Sequence, residues 1–394
     1  MVPNVTHFGD VSRDIYQRGL AGQRPELPMT ADGLEAAAQR VLPAEAFGYV
    51  AGGASTERTV AANREAFARW RIVPRMLRGV TERDLSTTVL GTSMTAPVLT
   101  APIGALGLVH PDADLAVTRA VAALGLTSVL STVSSATLEE VAAAAEDAGR
   151  WFQLYWPRDP ELAESLVVRA EAAGYQAIVL TVDTWSLSWR PRDLQLAHSP
   201  FLHAQGIANY LSDPVFRARL DAPPEESAHA MQQAVRSWME LFGNPALGWS
   251  DLSLLREWTQ LPVLIKGICH SDDARAALDH GADGVVVSNH GGRQVDGARA
   301  ALDCLPDVVT AVDGRAPVLL DSGIRCGADV LIALALGAHA VLLGRPWVYG
   351  LGLAGRSGVE HVLRAVLGDL DLMLALAGYS RPAELSAHSV VKDG

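Results

Sequence analysis

Apolar and polar residues along this chain group into blocks. From position 97 onward, short runs that are apolar throughout, such as Val285-Val286-Val287, are separated by stretches with apolar residues three and four apart. A continuous β-branched run suits a strand covered on both faces, as in a parallel sheet, whereas the three-and-four spacing suits a helix with one buried stripe. The runs at 98–101, 128–131, 151–155, 177–182, 262–266, 284–288, 317–321 and 340–344 predict strands. The stretches at 112–124, 138–148, 160–173, 251–260, 272–280, 300–312 and 327–336 predict helices between them, and 358–377 a final amphipathic helix. Strands alternating with helices in this way predict an α/β fold, a (β/α)8 TIM barrel. An open doubly wound sheet is the competing architecture, but no GxGxxG follows the first strand.

The rhythm is absent from residues 1–96. Residues 1–30 are polar, with Pro25 and Pro28, and read as a surface arm. Thr30 is placed to cap a helix running to Val41, a second short helix follows over 43–50 and ends at Gly52-Gly53, and a third spans 57–70. The expected organisation is therefore an N-terminal arm and helices over 1–96 and a barrel over 97–394. One long interruption, 184–249, carries Trp185, Trp189, Pro191, Pro200, Pro214 and Pro223-Pro224. A connection this long in a compact domain is usually a lid or a binding surface. It leaves the carboxyl end of the fourth strand, so it is expected to cover whatever is built there; within it, 221–230 fits a disordered surface insertion better than the aromatic-rich start does.

Composition narrows the function. The 394 residues carry a net charge of −12, which argues against a nucleic-acid partner, since phosphate binding needs a basic face. The hydrophobic content of 49% is enough for a large core. Cys269, Cys304 and Cys326 are too few and scattered for a disulfide framework, and no CxxC or HxxxH spacing suggests zinc. The N-terminus lacks a basic region followed by an apolar stretch, and the apolar run 330–343 is broken by Gly337 and His339. The expectation is a soluble cytoplasmic protein with no membrane span.

Candidate chemistry lies at the carboxyl ends of the predicted strands, where α/β folds build their sites. The sixth strand runs into Ser288-Asn289-His290-Gly291-Gly292-Arg293-Gln294. His290 can accept a proton near neutral pH, Arg293 can hold a carboxylate through two hydrogen bonds, and the glycines admit a flat ligand. The first strand ends in Pro102-Ile103-Gly104, suited to backbone contact with a planar ring. The second ends at Ser131, the third at Gln153 and Tyr155, and the fourth at Thr181 and Asp183, with Arg190 following. Lys266 ends the fifth strand, where burial calls for an anionic partner and so implies a negative ligand. The seventh and eighth end in Asp321-Ser322-Gly323-Ile324-Arg325 and Gly344-Arg345, the usual phosphate position of such barrels. Asp321 would repel a phosphate and suits a sugar hydroxyl. A phosphate, ribityl hydroxyls, a flat ring and a cation for an anionic ring edge together indicate FMN; pyridoxal phosphate would leave Asp321 and the hydroxyl-rich strand ends without a purpose. Tyr49, just before Gly52-Gly53, reads from sequence alone as a core aromatic.

These residues carry a resemblance. SNHGGRQ at 288–294, YVAGG at 49–53, APIG at 101–104, QLY at 153–155, TVDT at 181–184, LIKGI at 264–268, DSGIR at 321–325 and GRP at 344–346 occur in one order over about 30–377. The chain resembles the FMN-dependent α-hydroxy-acid oxidases and dehydrogenases. Within them it is most similar to the lactate 2-monooxygenase branch, through PRML at 74–77, TERDLS at 81–86, WRPRDL at 189–194, the long lid with NY and DPVF, and ALDCLP at 301–306. By matching position the resemblance implies the following roles. His290 takes the substrate's proton and Asp183 holds the resulting histidinium. Arg293 and Arg190 bind the carboxylate, with Tyr49 and Tyr155 on the carboxylate or hydroxyl. Lys266 sits against the flavin's anionic edge. Pro102, Ile103, Gly104, Ser131, Gln153, Thr181, Ser288, Asp321, Gly323, Arg325, Gly344 and Arg345 contact FMN. Val133 stands where glycolate oxidase has a tryptophan, so the side-chain pocket differs in shape. The implied reaction is oxidation of a small L-2-hydroxy acid by O2, foremost L-lactate to acetate, CO2 and water. An oxidase or dehydrogenase of a mandelate-type acid, giving keto acid and peroxide, and a noncatalytic ligand-binding barrel are the alternatives. The resemblance also implies a homo-tetramer or octamer.

Overall fold

The computed structural model describes residues 7–393. Eight parallel strands close into a barrel in sequence order: β1 (Val98–Thr100), β2 (Thr127–Ser131), β3 (Gly149–Leu154), β4 (Ile178–Thr181), β5 (Val263–Ile268), β6 (Gly284–Val287), β7 (Val318–Leu320) and β8 (Ala340–Leu343). Closure is made where Leu342 and Leu343 pair with Leu99 and Thr100. All eight strands fall where the apolar runs predicted them. The runs are apolar throughout because both faces are covered. Leu99, Val129, Trp151, Val179, Leu264, Val286, Leu319 and Leu342 point into the barrel, while their neighbours, such as Leu130, Phe152 and Val287, join the core under the surrounding helices. This is the two-residue alternation of a strand, with both sides apolar.

The amino-terminal end of the barrel is plugged. A hairpin pairing Thr87–Val89 with Thr92–Met94 sends Val89 and Met94 into the interior cluster, and the indole of Trp151 donates to Thr92 Oγ1 at 3.0 Å. The other end stays open, so a ligand has one mouth.

Four helices precede the barrel: α1 (Asp10–Gly19), α2 (Ala31–Val41), α3 (Ala44–Ala51) and α4 (Arg58–Ala68). Thr30 caps α2 by accepting from Gly33 N at 3.2 Å, as expected. The expected arm departs from its prediction, because α1 is a regular helix. It buries none of its own residues but is tethered by Gly9 N–H to Asp371 at 2.7 Å. Residues 1–6 of that arm lie outside the described residues. The final helix falls where 358–377 predicted it: helical structure from Arg345 to Leu376 is divided by a kink at Ala354 and at Gly355, whose φ is 57°, and the expected helix is the part beyond the kink, preceded by a helical stretch the sequence did not indicate.

Segment 184–249 is folded throughout, with short helices at Pro191–Gln195, Ala208–Leu211 and Pro214–Arg217 and a fourteen-residue helix at Ala228–Leu241. Residues 221–230 lie mostly at the surface, as expected, but the expectation of disorder is corrected. Ser227 caps the long helix through Ala230 N–H at 3.1 Å, and Ala230, Ala234, Val235 and Trp238 bury its inner stripe. No helix among the described residues is long and apolar enough to cross a membrane.

Candidate active site

The carboxyl ends of the strands, α3 and segment 184–249 enclose a cavity of about 1000 Å³ up to its open mouth. His290 is held at its wall with a φ of 57°, an uncommon conformation for a residue with a side chain. Neighbouring hydroxyls and amides fix the turn. Ser288 Oγ accepts His290 N–H at 3.0 Å, Ser322 Oγ accepts Gly291 N–H at 2.9 Å, and Asn289 Oδ1 accepts Gly292 N–H at 3.1 Å. Asn289 is itself clamped to Asn63 of α4 by reciprocal amide bonds of 2.8 Å.

His290 Nδ1 lies 2.8 Å from Asp183 Oδ1 and 3.0 Å from Thr184 Oγ1. Burial pushes the Asp183 carboxyl up, but the nearby His290 and Lys266 charges and hydrogen bonds from His290 and Thr184 outweigh it and bring it down to about 2. An ionised carboxylate only accepts, so the proton of the neutral imidazole sits on Nδ1. Nε2 is then a bare acceptor, 3.5 Å from the Tyr155 hydroxyl. Burial, with Lys266 and Arg190, draws the His290 pKa below its usual value despite Asp183, so the ring is neutral at pH 7. Burial raises the pKa of both Tyr155 and Tyr49, so both hydroxyls keep their protons.

Lys266 is 3% exposed, donates to Ser288 Oγ at 3.0 Å and pairs with Asp321 Oδ2 at 3.3 Å. Burial disfavours its charge, but Asp321, Asp183 and Tyr155 more than restore it, and its pKa is raised. The negative charge that the buried lysine calls for, expected from a ligand, is supplied by the protein's own Asp321, which also lines the cavity.

Four arginines line the same cavity. The polar partners of each are neutral oxygens. Arg190 donates to Gln294 Oε1 at 2.9 Å and to the Arg293 carbonyl; Arg293 donates to the carbonyls of Tyr49 and Gly52 at 2.6 and 2.7 Å. Arg345 donates to the carbonyls of Val50, Gly291 and Gly52 at 2.9–3.0 Å. Arg325 donates to the Ile324 carbonyl at 2.9 Å, and its Nε is buried without a partner. Burial and the neighbouring Arg293 lower Arg190 to about 10; burial, Arg293 and Arg325 lower Arg345 to about 9. Cations crowded this way in a low-dielectric site call for anions. Arg190 and Arg293 stand beside His290, Arg325 and Arg345 follow β7 and β8, and Arg345 and Arg293 share the Gly52 carbonyl.

Most of the sequence-predicted residues meet here. Tyr49, Pro102, Ile103, Gly104, Tyr155, Arg190, Lys266, His290, Arg293, Asp321, Gly323, Arg325, Gly344 and Arg345 all line the cavity, as does Val133. Tyr49 is therefore more than a core aromatic; the Arg293 guanidinium stacks over its ring at 5.1 Å. Ser131, Gln153, Thr181, Ser288 and Asp183 are not part of the wall. Ser288 and Asp183 hold Lys266 and His290, whereas Ser131 donates to Gln153 Oε1 at 3.1 Å, leaving Gln153 Nε2 buried and unpartnered. Thr181 Oγ1 is likewise buried without a partner. Sequence reasoning missed Thr184, Ser322, Gln294 and the apolar wall of Leu187, Phe201 and Phe242. Thr184 and Ser322 adjoin selected acids, so a rule seeking hydroxyls beside a catalytic carboxylate finds them. Nothing in the sequence distinguishes Phe242 from other lid aromatics.

The site fits FMN on its own evidence. An arginine pair with only neutral partners sits at the phosphate position, beside an Arg325 nitrogen that lacks an acceptor. Polar side chains at the strand ends have unspent hydrogen bonds. Pro102, Ile103 and Gly104 offer a narrow wall for a planar ring.

Residues 38–392 match the FMN-dependent dehydrogenase family. The chain is 43% identical to an L-lactate oxidase of Lysinibacillus sphaericus, covering 96% of this chain and 97% of that protein. It is 41% identical to 2-hydroxyacid oxidase 1 of Homo sapiens, covering 86% and 90%. A crystal structure of mandelate oxidase superposes with a TM-score of 0.80 at 39% identity, over 92% of this chain and 98% of that one. The geometry and these likenesses agree: the chain belongs to the FMN-dependent dehydrogenase family, and its cofactor is FMN.

Proposed function

We propose that this protein oxidises a small L-2-hydroxy acid with O2, and that L-lactate leaves it as acetate, CO2 and water. The observation that carries the oxidation is one arrangement. A neutral imidazole with its acceptor nitrogen 3.5 Å from the Tyr155 hydroxyl and an ionised carboxylate behind it faces a cavity that also presents two arginines without carboxylate partners.

In this reading Arg190 and Arg293 bind the substrate carboxylate, each through paired N–H groups. The protonated Tyr49 and Tyr155 donate hydrogen bonds to the carboxylate or the hydroxyl and orient it. His290 Nε2 accepts the proton that leaves the substrate, and Asp183, 2.8 Å from Nδ1, stabilises the imidazolium. Bound FMN supplies the redox chemistry, accepting two electrons from the substrate's α-carbon and returning them to O2. Lys266 keeps a positive charge in the wall, and Arg325 and Arg345 hold the phosphate. Segment 184–249 serves as the lid of a barrel formed by 97–394.

The acetate outcome requires the keto acid to stay in place while O2 reacts. Its support is the lid's construction. Phe201, Tyr210 and Phe242 pack on Trp238 with ring centroids 4.9–6.0 Å apart, and Phe201 and Phe242 form part of the cavity wall. A lid with its own aromatic core opens slowly, and slow release favours reaction before escape. A second reading, oxidation of a larger acid to keto acid and hydrogen peroxide, is favoured by Val133, a small side chain in that wall. One relative, from Amycolatopsis orientalis, is a 4-hydroxymandelate oxidase.

Incubation with L-lactate under air, with acetate, pyruvate and peroxide all quantified, tests both levels. Acetate equal to lactate consumed supports the first reading. Pyruvate with stoichiometric peroxide rejects the acetate outcome but keeps the oxidation. Failure of any 2-hydroxy acid to bleach the bound flavin anaerobically rejects the function.

A further inference from the structure

The stretch Trp189-Arg190-Pro191-Arg192-Asp193 places two arginines two residues apart, and only Arg190 reaches the cavity. Arg192 grips Glu57 instead. Its Nε meets Glu57 Oε1 at 2.8 Å and its Nη2 meets Oε2 at 2.6 Å, the bidentate geometry that fixes orientation as well as distance. Glu57 sits just before α4 with a φ of 62°, a conformation that asparagine or glycine adopts with less strain, and it gives its own helix no side-chain cap. Its carboxylate serves the neighbouring turn and the lid, since Oε1 also accepts Gly53 N–H at 3.0 Å.

The helix carrying Arg192, Pro191–Gln195, buries none of its residues, and Trp189 before it is 72% exposed. Apolar packing therefore does little to seat it. Its other ties include Ser55 N–H to the Trp189 carbonyl at 2.8 Å, Ser188 Oγ to the Arg293 carbonyl, Gln294 Nε2 to the Ser186 carbonyl at 2.9 Å, and the Arg190 bonds to Gln294 and the Arg293 carbonyl, all on the cavity side except the first. Arg190 also faces the like charge of Arg293. That repulsion disfavours the seated position when no anion is bound, and the contact between Arg192 and Glu57 opposes it.

We propose that the Glu57–Arg192 ion pair is a latch that holds Arg190 in its carboxylate-binding position before substrate arrives, making Glu57 and Arg192 positioning residues. The inference rests on the reading of Arg190 as a carboxylate clamp. The pair is half-exposed, with side chains 27% and 41% accessible, so its contribution to global stability is small and its effect is local.

The test uses the FMN-loaded enzyme carrying Glu57→Gln. If the latch leaves Arg190 seated about a tenth of the time once broken, KM for L-lactate rises about tenfold while kcat stays near wild type. Hydrogen exchange across 185–197 accelerates by a similar factor and slows again at saturating lactate. Arg192→Met produces the same shifts from the lid side and serves if the first variant does not fold. The double variant is no worse than either single one, because both remove one interaction. KM and exchange equal to wild type, or a fall in kcat at unchanged KM, overturn the latch. A wild type that no 2-hydroxy acid reduces sinks the proposed function instead, and the exchange comparison still decides the latch.

Discussion

At the scale of single residues, the chemistry turns on which proton sits where. The His290 pKa lies below its ordinary value, chiefly because the ring is buried. The working form of a base is neutral, so lowering the pH through that value removes activity. With substrate-limited turnover, kcat/KM is expected to be flat near pH 7 and to fall with a midpoint below about 6.5, the unperturbed histidine value. A midpoint above 7 contradicts the geometry. Asp183→Asn tests the same pair from the other side. An amide can present N–H to Nδ1, which moves the imidazole proton to Nε2, and it cannot stabilise an imidazolium. Flavin reduction is expected to slow by about 10²–10⁴-fold with FMN still bound, as read by anaerobic rapid mixing. A loss of only a few fold denies Asp183 its role.

At the scale of elements, the turn after β7 shows how backbone shape sets the site. Gly323 has a φ of 100°, and a methyl there would overlap the carbonyl oxygen of Asn63, so α4 rests on bare backbone. Gly323→Ala combines a disfavoured conformation with a steric overlap and is expected to destabilise the fold by about 2–4 kcal/mol, read as a lower Tm. It should also weaken FMN binding, since Arg325 lies two residues on; an unchanged Tm and FMN affinity would show that the turn yields freely. The same element explains what the sequence made legible. All eight barrel strands and most intervening helices were readable because closed parallel sheets impose apolar runs on buried strands. Glycine-rich strand ends such as that at Gly323 marked the site for the same reason. Helix α1 was not read although Val11 and Ile15 stand one turn apart on one face, because that stripe is short, only half-buried and set among polar residues. The Ala228–Leu241 helix was hidden by the Pro223-Pro224 pair before it, although its inner stripe is regular. The hydroxyls and amides that hold the catalytic side chains, Thr184, Ser322 and Gln294, were missed because their value depends on what the fold brings near them. Gln294 reaches both Arg190 and the carbonyl of Asp183, more than a hundred residues back in the chain.

At the scale of the whole molecule, an acidic chain encloses a basic socket. The protein carries a net charge of −12, yet the cavity wall gathers Arg190, Arg293, Arg325 and Arg345 with neutral oxygens as partners. Burial, and after it the repulsion among these cations, lowers Arg345 to about 9 and Arg190 to about 10 in the apoprotein. A ligand that binds only the folded state stabilises it by mass action, by about 2.7 kcal/mol at a hundredfold excess over Kd. The FMN-free protein should therefore gain Tm with inorganic phosphate, and gain more than with chloride at equal ionic strength, because chloride screens charge without bridging a pair of guanidinium groups. FMN should raise Tm further, and riboflavin, which lacks the phosphate, less than FMN. Arg325→Met removes the guanidinium whose Nε has no partner. It should abolish the phosphate increment while leaving most of the riboflavin increment. If phosphate acts no better than chloride, or if the variant keeps its full response, the anion that these arginines await is not a phosphate. The basic ends of β7 and β8 would then need another ligand.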